Sequence, residues 1–196
     1  AETNLRRSIG FLVIGGVGAI LAGIAIPTQA GVSGAGLYVF HAILTMTALY
    51  LVAGLVERAT GATDTRQMGG LYAASAPLSI LFLLLIFATA GVPPLLGFWP
   101  KLLLLQASLG SGGWGGGLIA GALLVNAVLT LIAGSRLWAH IFWRSAPDDA
   151  SVQLAMSGRA GLGASIVLVT LVMAAGLWPN ALFEALQAGA PDLLDA

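Results

Sequence analysis

Lys101 follows Gly97-Phe98-Trp99-Pro100 and opens the apolar run Leu102 to Leu105. A lysine at mid-bilayer costs about 2.5–3.5 kcal/mol on insertion scales, so it turns towards a partner or a wet cavity. Just before it, Gly91-Val92-Pro93-Pro94-Leu95-Leu96-Gly97 interrupts a long apolar stretch, and the two prolines remove two backbone donors. Freed carbonyls and room for water would then lie beside an amine able to hold or release a proton. Two readings stand: a proton-relay lysine in a hydrated path, or a lysine snorkelling to the nearer interface from a re-entrant end.

The other candidates are sparser. Tyr38, His41, Thr45 and Ala48 recur at helical spacing and form one small-to-polar stripe. His41 on that stripe suits either a relay or a satisfied contact between helices. Asn126, Thr130 and Gly134 form a similar stripe, for which polar helix packing is the plainer reading. Arg136 and His140 stand one turn apart; Arg136 is either a pathway charge or, favoured by its end-of-helix position, a snorkelling side chain. The chain has no cysteine, and its two histidines are far apart with no carboxylate cluster beside them, so no metal site is expected. No phosphate loop, nucleophile triad or haem-attachment motif appears, which points away from an enzyme and from a cofactor.

The elements that must position these residues follow from composition. Of 196 residues, 58% are hydrophobic and 8% charged, with eight basic residues against eight acidic. A soluble domain carries about a quarter charged residues, and nucleic-acid binding needs a basic surplus. Both are excluded in favour of an integral membrane protein. Residues 9–27, 31–56, 67–100, 102–135 and 160–183 contain no Asp, Glu, Lys or Arg. About 20 apolar residues span a bilayer core as helix, and continuous apolarity rather than alternation argues against a barrel. The expected fold is all-α, with about five transmembrane helices near 8–27, 34–56, 76–110, 116–143 and 160–178. The third is discontinuous, broken at Gly91, Pro93, Pro94 and Gly97. Arg6 and Arg7 could also be read as the head of a signal peptide, but everything downstream is equally apolar.

Positive charge sets the topology. If 76–110 crosses once, Arg6, Arg7, Arg58, Arg66, Arg144 and Arg159 all fall on one side, as the positive-inside rule expects. The N-terminus is then cytoplasmic and the C-terminus outside, and residues 57–75 and 145–158 are cytoplasmic loops. The stretch from Pro179 reads as a short amphipathic helix along the outer interface. Gly15, Ala19 and Gly23, and likewise Gly117 and Gly121, have the spacing that lets helices approach closely.

The run GVPPLLGFWPKLLLL (91–105) resembles the G-[IV]-P-P-x-x-G-F-x-x-K segment of proton-translocating antiporter-like subunits. That family includes the Mrp-type sodium/proton antiporter subunits and membrane-arm subunits of respiratory complex I. AETNLRRSIGFLVIGGVG (1–18) is similar to the family's D-[IL]-[KR]-R helix opening. LYVFHAILTMTALYLVAGLVER (37–58) looks like its histidine-bearing helix, followed by Gly69-Gly70-Leu71. RLWAHIFWR (136–144) resembles the ending found in the D-type Mrp subunits of the family.

The resemblance implies a single membrane domain over 1–196, equivalent to most of the second five-helix repeat plus the last helix of a longer subunit. It places Lys101 on the family's protonatable residue at the second broken helix. The chain also departs from the family: where many members have a second histidine and then a lysine, Ala42 and Met46 stand here. The resulting expectation is part of a multi-subunit monovalent cation/proton antiporter in a bacterial inner membrane. Protons pass through Lys101 near His41, the cation is Na+ or K+, and the partners are other membrane subunits and the bilayer. The alternative is a truncated, non-transporting structural subunit of a respiratory or photosynthetic complex.

Overall fold

The computed structural model describes residues 2–145 and 159–194. The expected connector around Pro147-Asp148-Asp149 lies outside the described residues. Every named element is a helix: α1 Leu5–Ile24, α2 Gln29–Thr60, α3 Leu71–Ala74, α4 Ala76–Ala90, α5 Phe98–Gly110, α6 Gly113–Trp138, α7 Arg159–Leu177 and α8 Asn180–Leu194. A single 3₁₀ turn, Thr65–Gln67, precedes α3, and a π turn, Ala139–Trp143, continues α6. Four of these are long and apolar enough to cross a membrane: α1, α2, α6 with its π turn, and α7. The chain is thus an all-helical, multi-pass membrane protein. The shorter α4 (15 residues) and α5 (13 residues) flank the interruption at 91–97.

Local chemistry shifts the helix ends from the hydropathy reading. α1 begins at Leu5 because Asn4 caps it, its side chain accepting a hydrogen bond from the Arg7 N–H at 3.1 Å. α2 starts five residues earlier than the expected 34, because Thr28 caps it through the Gly31 N–H at 3.1 Å. It runs on to Thr60 and stops at Gly61, whose φ of 68° ends the helix in the left-handed conformation. Glu57 and Arg58 are therefore helical rather than part of a loop, and Glu57 Oε2 pairs with Arg6 Nε of α1 at 2.8 Å.

α2 is the central column. One face of it packs on α1 and α4 through Leu49, Val52, Ala53 and Val56, a cluster that includes Leu5, Ile9, Phe82 and Leu85. Its other end meets Leu95, Leu96 and Val172, with Leu182, Phe183 and Leu186 of α8 packed alongside. The expected amphipathic C-terminal helix is present, and those apolar residues lie on the bundle. Much of the remaining apolar surface faces outward, as lipid contact requires: Phe11, Ile14, Leu21, Val125 and Leu129 are all exposed.

The small residues divide. Gly23 of α1 lets Leu104 of α5 and Ala35 of α2 come close, and Gly15 leaves room for Asn126 of α6. Gly117 and Gly121 meet nothing within 4 Å, so the close helix approach expected there is not made by the described residues.

Candidate functional site

The site is built where α4 stops. An α-helical carbonyl accepts from the N–H four residues on. For Thr89 that residue is Pro93, and for Ala90 it is Pro94, neither of which has an N–H. The helix closes instead on Gly91, whose N–H reaches the carbonyls of Phe87 and Ala88, and on Val92, whose N–H reaches Phe87 at 2.9 Å. Thr89 is left with a carbonyl oxygen pointing into the interruption. The Lys101 ammonium, delivered from the first turn of α5, donates to that oxygen at 2.5 Å. The lysine thus replaces the backbone donor that proline removed.

Two glycines make this approach possible. Gly91 has φ of 89°, and a Cβ there would lie 2.7 Å from Lys101 Cδ. It is thus required both for its backbone conformation and for the lysine stem that lies across it. At Gly97 a Cβ would overlap the Ala88 carbonyl oxygen and stand 2.8 Å from His41 Cε1. The interruption is therefore pressed flat between the end of α4 and the imidazole of α2.

On α2 the stripe Tyr38, His41, Thr45 and Ala48 is buried along its whole length. His41 Nδ1 and the Thr45 hydroxyl are 3.0 Å apart. Tyr38 packs edge-on against His41, with ring centroids 5.7 Å apart. Lys101 Nζ lies 6.0 Å from the Tyr38 ring centre, within reach of a cation–π attraction. Gly16 of α1 makes space for the tyrosine ring. A lysine, a histidine, a threonine and a tyrosine are thereby gathered at a helix interruption in the bundle interior. Such a group can hold a proton on either of two bases and align water between them.

The remaining sequence candidates lie elsewhere. Asn126 faces Gly15, Thr130 is buried on α6, and Gly134 packs against Ile86 of α4. All three sit in helix contacts rather than with Lys101. Arg136 is exposed, and His140 accepts a hydrogen bond from Arg144 at 3.0 Å, since arginine can only donate.

Two supports have no clear signal in the sequence. Trp99 donates its indole N–H to the Gly176 carbonyl at 2.7 Å and packs edge-on against Phe183, so α5 is pinned to α7 and α8. Tyr38 reads in the sequence only as part of a stripe, and no local pattern announces that its ring lies beside the lysine. Among the described residues no group of three or more His, Cys, Asp or Glu could hold a metal ion.

Helices long and apolar enough to span a bilayer, with a lysine closing an interruption in their midst, define a polytopic membrane protein. The family model for NADH:quinone oxidoreductase/Mrp antiporter transmembrane segments matches residues 1–130, and the chain belongs to that family. Among its relatives, the D component of a Na(+)/H(+) antiporter from Alkalihalophilus pseudofirmus is 33% identical over 143 residues, covering 73% of this chain and 28% of the relative. The like-named antiporter component of Bacillus subtilis is 32% identical over the same shares. In fold, all of this chain superposes on 44% of a chain in the Mrp complex of a Dietzia species, with TM-score 0.86 and 23% identity. It superposes likewise on 40% of a chain in respiratory complex I from Thermus thermophilus, with TM-score 0.85 and 19% identity. The chain thus spans less than half the length of these relatives.

Proposed function

We propose that this chain forms one proton half-channel of a multi-subunit monovalent cation/proton antiporter, with Lys101 as the relay residue and His41 as its neighbour. The observation that carries the reading is the Lys101 ammonium seated on the Thr89 carbonyl freed by Pro93. An amine held by one neutral acceptor, with no carboxylate partner among the described residues, is free to pass its proton on and take another. His41 and Thr45 lie on the α2 side of the same interruption and supply the adjoining donor and acceptor. Membership of the antiporter family and the Na(+)/H(+) antiporter relatives support sodium as the exchanged cation.

In this reading residues 1–196 are one membrane domain, and α4 and α5 are two halves of one crossing. At 1.5 Å per residue each half is about 20 Å long, short of the roughly 30 Å hydrocarbon core. A single crossing keeps the loop arginines together on the cytoplasmic side of a bacterial inner membrane, with the C-terminus outside.

Exchange is to be measured in membranes carrying the assembled complex. Lys101→Ala abolishes proton-coupled cation exchange while the complex still assembles, and Lys101→Arg does not restore it. Normal exchange by Lys101→Ala removes the relay and favours a structural subunit. Because the chain has no cysteine, single substitutions report topology directly. Ala62→Cys and Ser145→Cys label from the cytoplasmic face and Ser111→Cys from the outer face; Ser111→Cys and Ala62→Cys labelling from the same face contradicts the single crossing.

A further inference from the structure

α1 and α6 touch where Gly15 receives Asn126. One to two turns away along α1, and two to four along α6, they leave an open cleft of about 530 Å³, roofed by the Thr65–Gln67 turn. Its wall is apolar, formed by Phe11, Leu12, Ala133 and Leu137. Its rim carries Arg66, Arg136 and His140, with Glu2 on the α1 side.

The charges on this rim are unequal in availability. Arg66 is held by Asp64 at 2.9 Å. Glu2 Oε1 accepts the backbone N–H groups of Thr3 and Asn4, and Oε2 stands 4.0 Å from Arg7. His140 is engaged by Arg144, which brings a further cation to the same end of α6. Arg136 is exposed and has no ion-pair partner among the described residues.

We infer that this cleft binds a phospholipid with an anionic headgroup, its phosphate on Arg136 beside His140 and its acyl chains along Phe11 and Ala133. The amphipathy of the site matches that of the ligand. A cationic rim at the helix ends grades within a turn into apolar wall, and below it the outward faces of α1 (Phe11, Ile14) and α6 (Leu129, Ile132) are exposed hydrocarbon-facing surface. The volume lies within the roughly 300–1,000 Å³ of small-ligand sites, enough for a headgroup and glycerol. Basic pockets between helices on the cytoplasmic side of a membrane are suited to anionic headgroups for the same electrostatic reason. A second protein helix would instead have to bury Arg136 against a carboxylate.

The test uses the complex containing this chain, reconstituted in nanodiscs of phosphatidylcholine with a minor fraction of phosphatidylglycerol. Lipid retained after detergent extraction is identified by native mass spectrometry. The wild-type complex keeps phosphatidylglycerol in preference to phosphatidylcholine, and Arg136→Gln lowers that preference about fivefold, the increment expected of one arginine near the surface. Arg136→Lys keeps most of it. Arg58→Gln, which removes an exposed cation outside the cleft, leaves it unchanged. Equal losses in the two glutamine variants reduce the effect to general surface charge and overturn the site, as does retention of both lipids alike or of neither.

Discussion

Replacing Gly97 by alanine drives a methyl group into two immovable neighbours. One is the carbonyl oxygen of Ala88, fixed as backbone at the end of α4; the other is the His41 ring, 2.8 Å away at Cε1 and only 1% exposed. Neither can rotate aside as a flexible side chain could. The 91–97 segment must therefore retreat, at an overpacking cost of about 1–3 kcal/mol, with the upper end expected because backbone is involved. A retreat of roughly 1 Å also carries α5 and the Lys101 stem away from Thr89, and misplacements of that size cost catalytic steps about 100-fold. Two assays on the assembled complex separate these effects: the thermal midpoint in detergent, and the exchange rate in vesicles normalised to chain content. Gly18→Ala is the control, because a Cβ there meets nothing within 4 Å and alanine favours helix by about 1 kcal/mol. Gly97→Ala is expected to lower both readouts and Gly18→Ala neither. Wild-type stability and exchange in Gly97→Ala would falsify the account of a tightly pressed interruption.

Two further outcomes follow from contacts around that core. Trp99→Phe keeps an aromatic ring against Phe183 but strands the Gly176 carbonyl; a loss of about 1–3 kcal/mol in unfolding free energy is expected, against about 3–5 kcal/mol for Trp99→Ala. Equal losses would show that the indole N–H contributes nothing. At the other end, residues 3–5 pair with 63–65 through the Leu5 N–H to Thr63 O and the Thr65 N–H to Thr3 O, at 3.1 and 2.7 Å. Asp64 organises this junction: hydrogen bonds from the Arg66 side chain and backbone N–H hold its carboxyl down at about 2. A carboxyl depressed on folding stabilises above its unfolded value of about 3.9. That stabilisation disappears as pH falls through about 2. Amide exchange at Leu5 and Thr65 is therefore expected to show the same protection from pH 8 to about 5 and to lose it on acidification below about 4. Asp64→Asn should show the weakened protection at every pH, and protection in that variant matching the wild type would contradict the role given to Asp64.

The helices are legible in the sequence because bilayer insertion is read from the chain one segment at a time. A run of twenty uncharged apolar residues spans whatever its neighbours are, so the positions of α1, α2, α6 and α7 emerge to within a few residues. The errors lie at caps. Thr28 and Gln29 sit in an uncharged polar stretch that hydropathy assigns to a loop, yet the Thr28 side chain satisfies the Gly31 N–H and α2 begins there. Gly117 and Gly121 have helix-packing spacing but face open space, because spacing records what a helix permits and not which helix arrives.

Composition and local pattern are enough to establish a multi-pass membrane protein, and they point to an interruption at 91–97 with Lys101 beside it. Each rests on local physics: charge is costly in hydrocarbon, proline has no N–H, and glycine alone tolerates φ of 89°. What the lysine touches is a matter of packing. Lys101 and Thr89 lie twelve residues apart across a turn, while His41 and Tyr38 come from a helix some sixty residues earlier. Side-chain direction at such a junction depends on how α2, α4 and α5 pack together. The same packing put Asn126 against Gly15 and left Arg136 at the rim of a cleft. Helix spacing fixes the angle of each residue on α6, but not what the neighbouring helix presents to it.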